Sequence, residues 1–358
     1  MSKYKLKIII NNFNCNTSSF YEYAPFIINN NNIILSSNFY NSEKWFYDEL
    51  IKKGYNVLID DDNGYNVSIK DNKWWEIYEL YISYFFYDYY SHVLNYDYTI
   101  IKLSDLQKKY IKNNILDNPE MDKSHNPEMD KSHNPEMDKS HNPEMDKSHN
   151  PEMDKSHNPE INKLHNPEIN KLHNPEINKL YNDIELTLIK YNKCFIKTTG
   201  FVPNKVNNII SFDMNNKGSD IIKYLFEDPN DRCIKFIDYT KGVMIQSWND
   251  EISLDRELRI FIKNKSIVAI SQQDCSKQYI FFSFIKDYYI DICDNCDKLW
   301  MSIKDKLFYT NCILDVYIDD NFDVHLIEIN PTHSWTGAKS ALFEWILDPP
   351  DNYEFRIL

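Results

Sequence analysis

Two carboxylates and a carboxamide near the end of the sequence have the types and the spacing of a divalent metal site. Glu328 and Asn330 are two residues apart in a segment of alternating hydrophobicity, so both side chains face the same way on the predicted strand. Asp315 lies on the preceding predicted strand. Carboxylate and carboxamide oxygens are hard ligands that suit Mg²⁺, which prefers a few protein oxygens together with substrate phosphates. The alternative interpretation is an exposed acidic face on a hairpin.

The register of this hairpin decides whether the three side chains converge. If Asp315 pairs with Glu328, Asn330 becomes a diagonal neighbour and all three meet. We expect that register to come from an even loop, such as one tipped by Asn321 and Phe322. A slip of one residue would turn Asp315 to the opposite face of the sheet.

A second set of candidates is basic. Lys197 ends a predicted strand whose other residues are mostly apolar, and Arg259 shares a strand face with Glu257. A lysine and an arginine on inward strand faces beside a Mg²⁺ site would bind phosphate groups. The alternative is a surface lysine and an internal ion pair between Arg259 and Glu257.

Other features of the sequence are weaker evidence for a functional site. Cys293 and Cys296 form a lone CxxC, and without a second pair it is poor support for zinc or redox chemistry. His333 follows the predicted strand and is a candidate for reaching a ligand at its edge. The sequence contains no G-x-G-x-x-G, Walker A or G-x-S-x-G motif.

The elements that must position these residues are predicted from alternation, capping residues and helical spacing. We expect an α+β body with largely antiparallel sheets. Strands are predicted over residues 5–10, 193–197 and 242–248, hairpins over 257–271 and 313–329, and helices over 219–226, 280–307 (broken once) and about 338–347. Before residue 118, we expect a helix capped by Ser42 and ending at Gly54, an aromatic core stripe from Trp74 to Phe86, and a helix beginning at Ser104.

An octad that begins Asn-Pro-Glu recurs eight times between Asn118 and Tyr181. Each proline prevents a helix from continuing out of the previous octad, and the early copies offer one apolar residue in eight. We therefore expect residues 118–157 to be disordered or loosely turned, and residues 158–181 to dock partly on the body. The repeat holds seven of the ten histidines, but one histidine per flexible octad is a dilute set of metal ligands.

Composition limits the classes of protein that this chain can represent. Its 358 residues are 42% hydrophobic, which permits a sizeable core, and its formal charge of −14 argues against non-specific binding to nucleic acid or to an anionic membrane. No run approaches the ~20 apolar residues of a membrane span. Seven cysteines do not indicate a disulfide framework, so we expect a reducing, cytoplasmic location.

Several of these segments together resemble the cell division cycle protein 123 family. The resemblance rests on ELRIFIKNK at 257–265, ISQQD at 270–274, LDVY at 314–317 and LIEINP at 326–331, preceded by FIK at 195–197 with Pro203. It implies an ATP-grasp-like two-lobed fold that binds ATP and Mg²⁺. It also implies an assembly chaperone for eukaryotic translation initiation factor 2, engaging the gamma subunit of that factor.

The resemblance also implies roles for individual residues. Lys197, with Lys205 in the following loop, resembles a phosphate-binding group, and Trp248 resembles a residue beside the adenine. Glu257 and Arg259 resemble a ribose-side acid and a phosphate-side arginine, and Asp315, Glu328 and Asn330 match the metal ligands. Asn204, Gln246 and Gln273 stand where the family has basic residues.

Three functions are therefore open from sequence: an ATP-binding assembly chaperone, an ATP-grasp ligase that joins a carboxylate to an amine through an acyl phosphate, and a binding module with a decayed nucleotide site. We expect four regions: an aromatic-rich N-terminal part of the body (1–117), the octad insertion (118–181), a first ATP-grasp lobe (182–245) and a second lobe with the metal site (246–358).

Overall fold

A computed structural model describes most of the chain outside the octads. The described residues are 4–8, 26–29, 32–60, 72–116, 174–203, 211–228, 231–275, 278–332, 341–343, 350 and 353–358. Seven of the eight octads, with their histidines, as well as Lys205 and His333, lie outside these ranges.

The described strands form three sheets. In chain order they are β1 Lys5–Ile8, β2 Phe26–Asn29, β3 Asn32–Ser36, β4 Asn56–Asp60, β5 Tyr98–Lys102, β6 Lys193–Thr198, β7 Phe212–Asp213, β8 Gly242–Ser247, β9 Glu257–Lys263, β10 Ser266–Gln272, β11 Cys312–Ile318, β12 Val324–Asn330 and β13 Glu354–Ile357. The sheet orders are β1-β13-β10-β9-β11-β12, β2-β3-β4 and β5-β8-β6-β7.

The described helices pack around these sheets. They are α1 Ser37–Ser42, α2 Lys44–Lys52, α3 Asn72–Ser83, α4 Tyr87–Tyr90, a 3₁₀ turn Ser91–Val93, α5 Asp105–Leu116, α6 Pro175–Tyr191, α7 Gly218–Phe226, α8 Arg232–Lys235 and α9 Ile280–Ile303. None of them combines the length and the apolar character that crossing a bilayer requires.

The predicted α+β class with largely antiparallel sheets is confirmed; the four-stranded sheet is antiparallel throughout, and the other two described sheets also contain parallel pairs. The β9–β10 hairpin turns at Asn264 and Lys265, which both have positive φ (52° and 59°), as a two-residue type I′ turn requires. Strand β13 pairs in parallel with both β1 and β10. Strand β13 therefore lies inside the large sheet, between β1 at the edge and β10.

The segment before the octads is built into the same body as the rest of the chain. It supplies β1 to the six-stranded sheet and β5 to the four-stranded sheet. Phe46 and Tyr81, from the predicted aromatic-rich part, share one hydrophobic core with Ile260 and Leu314 of the large sheet. A second core, which includes Ile196 and Phe226, lies under the four-stranded sheet.

The predicted pairing of Asp315 with Glu328 is confirmed, but the predicted even loop is wrong. Ile318 pairs with Val324, which leaves the odd loop 319–323. The register then shifts between Asp315 and Val316, because Ile327 is an extra residue on β12, a β-bulge. The bulge compensates for the odd loop and restores the pairing on which the site depends.

Other predicted boundaries need correction. Helix α9 runs unbroken through Ile303, and Ser219 lies inside α7, whose N-cap is Lys217. Ser42 ends α1 rather than capping α2. Residues 341–342 form a turn where a helix was expected, and the predicted helix on either side of 341–343 lies outside the described residues.

The eighth octad forms the first turns of a long helix. Asn174 caps α6 by accepting a hydrogen bond from the Glu176 amide, and Pro175 occupies the first helical position. Ile177 and Leu180 of this octad are buried, because the helix continues to Tyr191 and packs on the second core. The predicted domain boundary at residue 181 therefore falls within a helix.

Replacing Leu180 with alanine should destabilise the folded protein by about 3 kcal/mol, because the side chain is 1% exposed and its loss leaves a cavity. Leu186→Ala is the matched control on the same helix, since Leu186 is 57% exposed; it should change stability by less than about 0.5 kcal/mol. Urea unfolding measures both. Equal stability of the two variants would contradict the packing of the eighth octad.

Candidate nucleotide and metal site

Three neighbouring strands place one charged residue each in a single row across the large sheet. Arg259 on β9 pairs with Asp315 on β11, and Asp315 pairs with Glu328 on β12. Since side chains alternate along a strand, the opposite face carries apolar residues such as Leu314 and Ile329, which belong to the first core. One face of these strands therefore packs on the first core, and the other carries the site row, with Phe261 and Ile313 beside it in a smaller apolar cluster.

The row is held together by short polar contacts. Arg259 donates from Nε to Asp315 Oδ1 (2.7 Å) and from Nη2 to Oδ2 (2.9 Å), a bidentate pair that is almost fully buried. Asn330 Nδ2 lies between the two carboxylates, 2.9 Å from Asp315 Oδ2 and 3.0 Å from Glu328 Oε1. The amide thus occupies the position between two anions that a cation would favour.

Lys197 enters the same space from the facing four-stranded sheet. It is buried on β6, donates a hydrogen bond to the Tyr87 hydroxyl, and lies 3.6 Å from the centre of the Tyr87 ring. The Tyr87 hydroxyl is also 3.4 Å from Glu328 Oε2. Tyr87 therefore links the lysine of one sheet to the carboxylate of the other.

Two tyrosines hold the bulge that sets the register. The hydroxyls of Tyr87 and Tyr96 donate to the Ile327 carbonyl at 3.0 and 3.2 Å. A bulged residue is left out of the regular ladder, so its carbonyl needs other donors when it is buried. The segment before the octads thereby stabilises the part of β12 that presents Glu328.

The predicted site residues line two cavities that meet at Lys197 and Glu328. The first, which we call the Trp248 cavity, has a volume of about 270 Å³. The second, the Arg232 cavity, has about 190 Å³. The predicted residues on the Trp248 cavity are Lys197, Gln246, Trp248, Glu257, Gln273, Asp315 and Glu328. Those on the Arg232 cavity are Lys197, Arg259, Glu328 and Asn330.

The Trp248 cavity combines apolar walls with polar atoms that lack partners. Phe195 and Ile327 are among its apolar lining residues. The side-chain oxygens Gln246 Oε1 and Gln273 Oε1 are buried without a hydrogen-bond partner among the described residues. Because an unsatisfied buried acceptor is costly, a ligand with hydrogen-bond donors would stabilise these two side chains of the cavity wall.

Burial and neighbouring charges set the protonation of the carboxylates. Burial raises the pKa of Glu257 to about 8, and the charges of Asp315 and Glu328 add to the shift. Burial also raises the pKa of Asp315 to about 6, although Arg259 opposes it. Burial would raise the pKa of Glu328 as well, but Lys197, Asn330 and Arg259 hold it below its ordinary value. At neutral pH, Asp315 and Glu328 are therefore ionised while Glu257 is mostly neutral.

Lys197 titrates closer to neutrality than an exposed lysine. Burial lowers its pKa to about 8, and the charge of Glu328 opposes the shift. The ammonium group therefore remains mostly charged at pH 7, where it balances one of the two ionised carboxylates.

The donor set fits Mg²⁺ and a nucleotide. The described residues contain no group of three histidine, cysteine, aspartate or glutamate side chains placed to share a metal ion. A cation between Asp315 and Glu328 would take the Asn330 carboxamide oxygen as its third protein ligand after a half-turn of the amide, whose nitrogen faces both carboxylates in this structure. Cys293 and Cys296 are buried in the first core instead of forming part of a polar site.

The structure brings together nine of the ten residues predicted for the site, and the tenth, Lys205, lies outside the described ranges. Sequence reasoning missed Tyr87, Tyr96 and Arg232. Tyr87 and Tyr96 are two of 26 tyrosines, so their type carried no signal. Arg232 stands outside every motif that the sequence analysis used.

Two sheets that face a common polar cleft, one supplying a buried lysine and the other a row of carboxylates, define an α+β protein with a candidate ligand site between its sheets. The model of the D123 family matches residues 86–358, about three quarters of the chain. The chain belongs to this family, which confirms the resemblance to cell division cycle protein 123.

Curated relatives match shorter segments. A translation initiation factor eIF2 assembly protein of Vanderwaltozyma polyspora is 27% identical over 179 residues, which cover 45% of this chain and 47% of the relative. Cell division cycle protein 123 of Candida glabrata is 30% identical over 151 residues, 38% of this chain and 40% of the relative. The matched segments span less than half the length of these relatives.

Solved structures show more distant likenesses. Cdc123 from Schizosaccharomyces pombe is 14% identical, with a TM-score of 0.47 over 77% of this chain and 96% of that one. D-alanine-D-alanine ligase from Aeromonas hydrophila is 14% identical, with a TM-score of 0.26 over 46% of this chain and 47% of that one.

Glu257 should make stability fall as the pH rises. Its pKa is about 8 when folded against an ordinary value of 4.5, so between these pH values the folded state holds more protons than the unfolded state. The difference in the free energy of unfolding between the wild type and Glu257→Gln should therefore decrease as the pH rises from 4.5 to about 8. The decrease is at most about 1.4 kcal/mol per pH unit.

Urea unfolding at a series of pH values measures this difference. Glu251→Gln, at an exposed position in the loop before β9, is the control and should follow the wild-type profile. A Glu257→Gln profile parallel to that of the wild type would show that Glu257 is ionised in the folded protein at neutral pH.

Proposed function

We propose that this protein binds ATP with Mg²⁺ in the cleft between its two larger sheets and acts in the cytosol as an assembly chaperone for translation initiation factor 2, through the gamma subunit. The observation that carries the nucleotide part is the row of Arg259, Asp315 and Glu328 facing the buried Lys197. This row supplies ligands for a divalent cation beside cations that suit phosphate groups.

The two cavities suggest how a nucleotide would be held. Adenine and ribose suit the Trp248 cavity, where apolar walls accompany the unpartnered Gln246 and Gln273 oxygens and the carboxyl of Glu257. Lys197 and Arg259 suit the phosphates. Asp315, Glu328 and Asn330 would hold Mg²⁺, which shields the phosphate charge from the carboxylates. Lys205 is proposed as a further phosphate ligand from its sequence position alone.

The arginine losses noted in the sequence do not remove the cationic groups from the site. Gln246 and Gln273 present carboxamide acceptors at the cavity, while Lys197 and Arg259 keep their charges. We therefore favour a retained nucleotide site over a decayed one.

The partner is proposed from family membership and from the names of relatives. The V. polyspora and Candida albicans relatives are both named as eIF2 assembly proteins. Because the matched segments span less than half of each relative, the partner is a proposal for this chain. The six described cysteines form no disulfide with one another, which suits the reducing cytosol.

Asp315→Asn and Glu328→Gln should each weaken Mg²⁺-dependent ATP binding by about 100-fold, since each removes one charged ligand while preserving shape. Isothermal titration calorimetry with and without Mg²⁺ measures this effect. Asp323→Asn, an exposed carboxylate in the loop of the same hairpin, is the control and should bind like the wild type. Unchanged affinity in both site variants would mean that these side chains bind no metal–nucleotide complex.

The protein should retain the purified gamma subunit of initiation factor 2 in a pull-down at about 1 µM, a concentration at which a specific assembly partner remains bound. The purified alpha subunit is the control and should wash off. Failure to retain the gamma subunit, in the presence of ATP and Mg²⁺, would remove the chaperone proposal and leave the nucleotide site unaffected.

A further inference from the structure

Arg232 differs from the other three arginines of the sequence. Arg256 pairs with Asp320, Arg259 with Asp315 and Arg356 with Glu354. Arg232 has no ion pair within the described part of the chain, yet it lines the Arg232 cavity. A guanidinium group that lines a cavity and has no ion-pair partner among the described residues is available to an anionic ligand.

The position of Arg232 is fixed by its surroundings. It is the first residue of α8, whose N-cap Asp231 accepts a hydrogen bond from the Cys233 amide at 2.7 Å. Its guanidinium carbon lies 4.9 Å from the centre of the Phe201 ring. Phe201 in turn packs against Phe86 and Phe236, with ring centres 5.3 and 4.8 Å apart. The guanidinium is therefore placed over an anchored ring at the wall of the cavity.

The two cavities differ in charge. The Arg232 cavity is lined by the cations Lys197, Arg232 and Arg259 and by one carboxylate, Glu328. The Trp248 cavity shares Lys197 and Glu328 but adds the carboxyl groups of Glu257 and Asp315 and no further lysine or arginine among its described lining residues. The anionic end of a ligand that spans both cavities therefore belongs in the Arg232 cavity.

Arg232 and Arg259, the two arginines that line the Arg232 cavity, come from different parts of the body. Arg259 lies on the six-stranded sheet and is anchored by Asp315. Arg232 begins the helix whose Cys233 and Ile234 pack into the core beneath the four-stranded sheet. A single anionic group between them would contact both parts at once.

We propose that Arg232 binds the γ-phosphoryl group of ATP, opposite Arg259, and so makes the protein distinguish ATP from ADP. This inference rests on the proposed nucleotide site and adds a residue that no motif assigns. ADP lacks the group that Arg232 would bind, so the contact that joins the two parts of the body forms with ATP alone.

The test is the ratio of ATP to ADP affinity, measured by calorimetry in the presence of Mg²⁺. Arg232→Gln should weaken ATP binding by about 10-fold or more and change ADP binding by less than about 2-fold, because a charge-assisted contact is lost from ATP only. Arg232→Lys should give a smaller loss, again for ATP only, since it keeps the charge but not the planar fork.

Arg256→Gln is the matched control. Arg256 is ion-paired with Asp320 and lines neither cavity, so this variant should keep the wild-type ratio. Thermal unfolding checks that every variant is folded, and Arg232→Lys carries the test if Arg232→Gln does not fold.

The outcomes separate the two proposals. If the wild type binds ATP and the folded Arg232 variants keep its ratio of ATP affinity to ADP affinity, the nucleotide site remains and the role of Arg232 is overturned. Equal losses for both nucleotides would also overturn it. Absence of nucleotide binding in the wild type would overturn the proposed function itself, and this inference with it.

Discussion

One extra residue in β12 decides which face of the large sheet carries Glu328. With the bulge at Ile327, Glu328 lies opposite Asp315 and faces the cleft. Without it, the register set by the loop would place Glu328 opposite Leu314, on the apolar face. A carboxylate there would be buried among aliphatic side chains at a cost of several kcal/mol. The bulge is therefore the constraint on which the polar side of the sheet depends.

The charges of the site are balanced across the two sheets because of this arrangement. Asp315 is neutralised by Arg259 within its own sheet, while Glu328 is balanced by Lys197 from the facing sheet. Tyr87 supports both sides, since its hydroxyl contacts the lysine and also donates to the bulged carbonyl of Ile327. The segment before the octads thus supports the shape of the cleft, although it supplies none of the charged residues that line the two cavities within the described part of the chain.

Strand alternation was sufficient to predict the α+β class and the convergence of Asp315, Glu328 and Asn330. Candidates such as Trp248 came from the family resemblance, and the roles of all the site residues stay predictions. The bulge could not be predicted, because an odd loop followed by one extra residue gives the same pairing as an even loop. Asp319 makes the odd loop stable by accepting hydrogen bonds from the amides of Asn321 and Asp323 (2.8 and 3.0 Å). The docking of the eighth octad agrees with the expectation for residues 158–181, but its continuation as a helix to Tyr191 was not predicted, because the burial that stabilises this helix comes from contacts distant in sequence.

The central claim is that Asp315, Glu328 and Asn330 together hold a cation that accompanies a nucleotide. A crystal structure of the protein with ATP and Mn²⁺, which replaces Mg²⁺ and scatters anomalously, tests it most directly. The account predicts an anomalous peak within bonding distance of oxygens from all three side chains, about 2.0–2.6 Å, beside the nucleotide phosphates. Bound nucleotide whose metal peak lies away from Asp315 and Glu328, or an Asp315 side chain on the core face of its sheet, would contradict it.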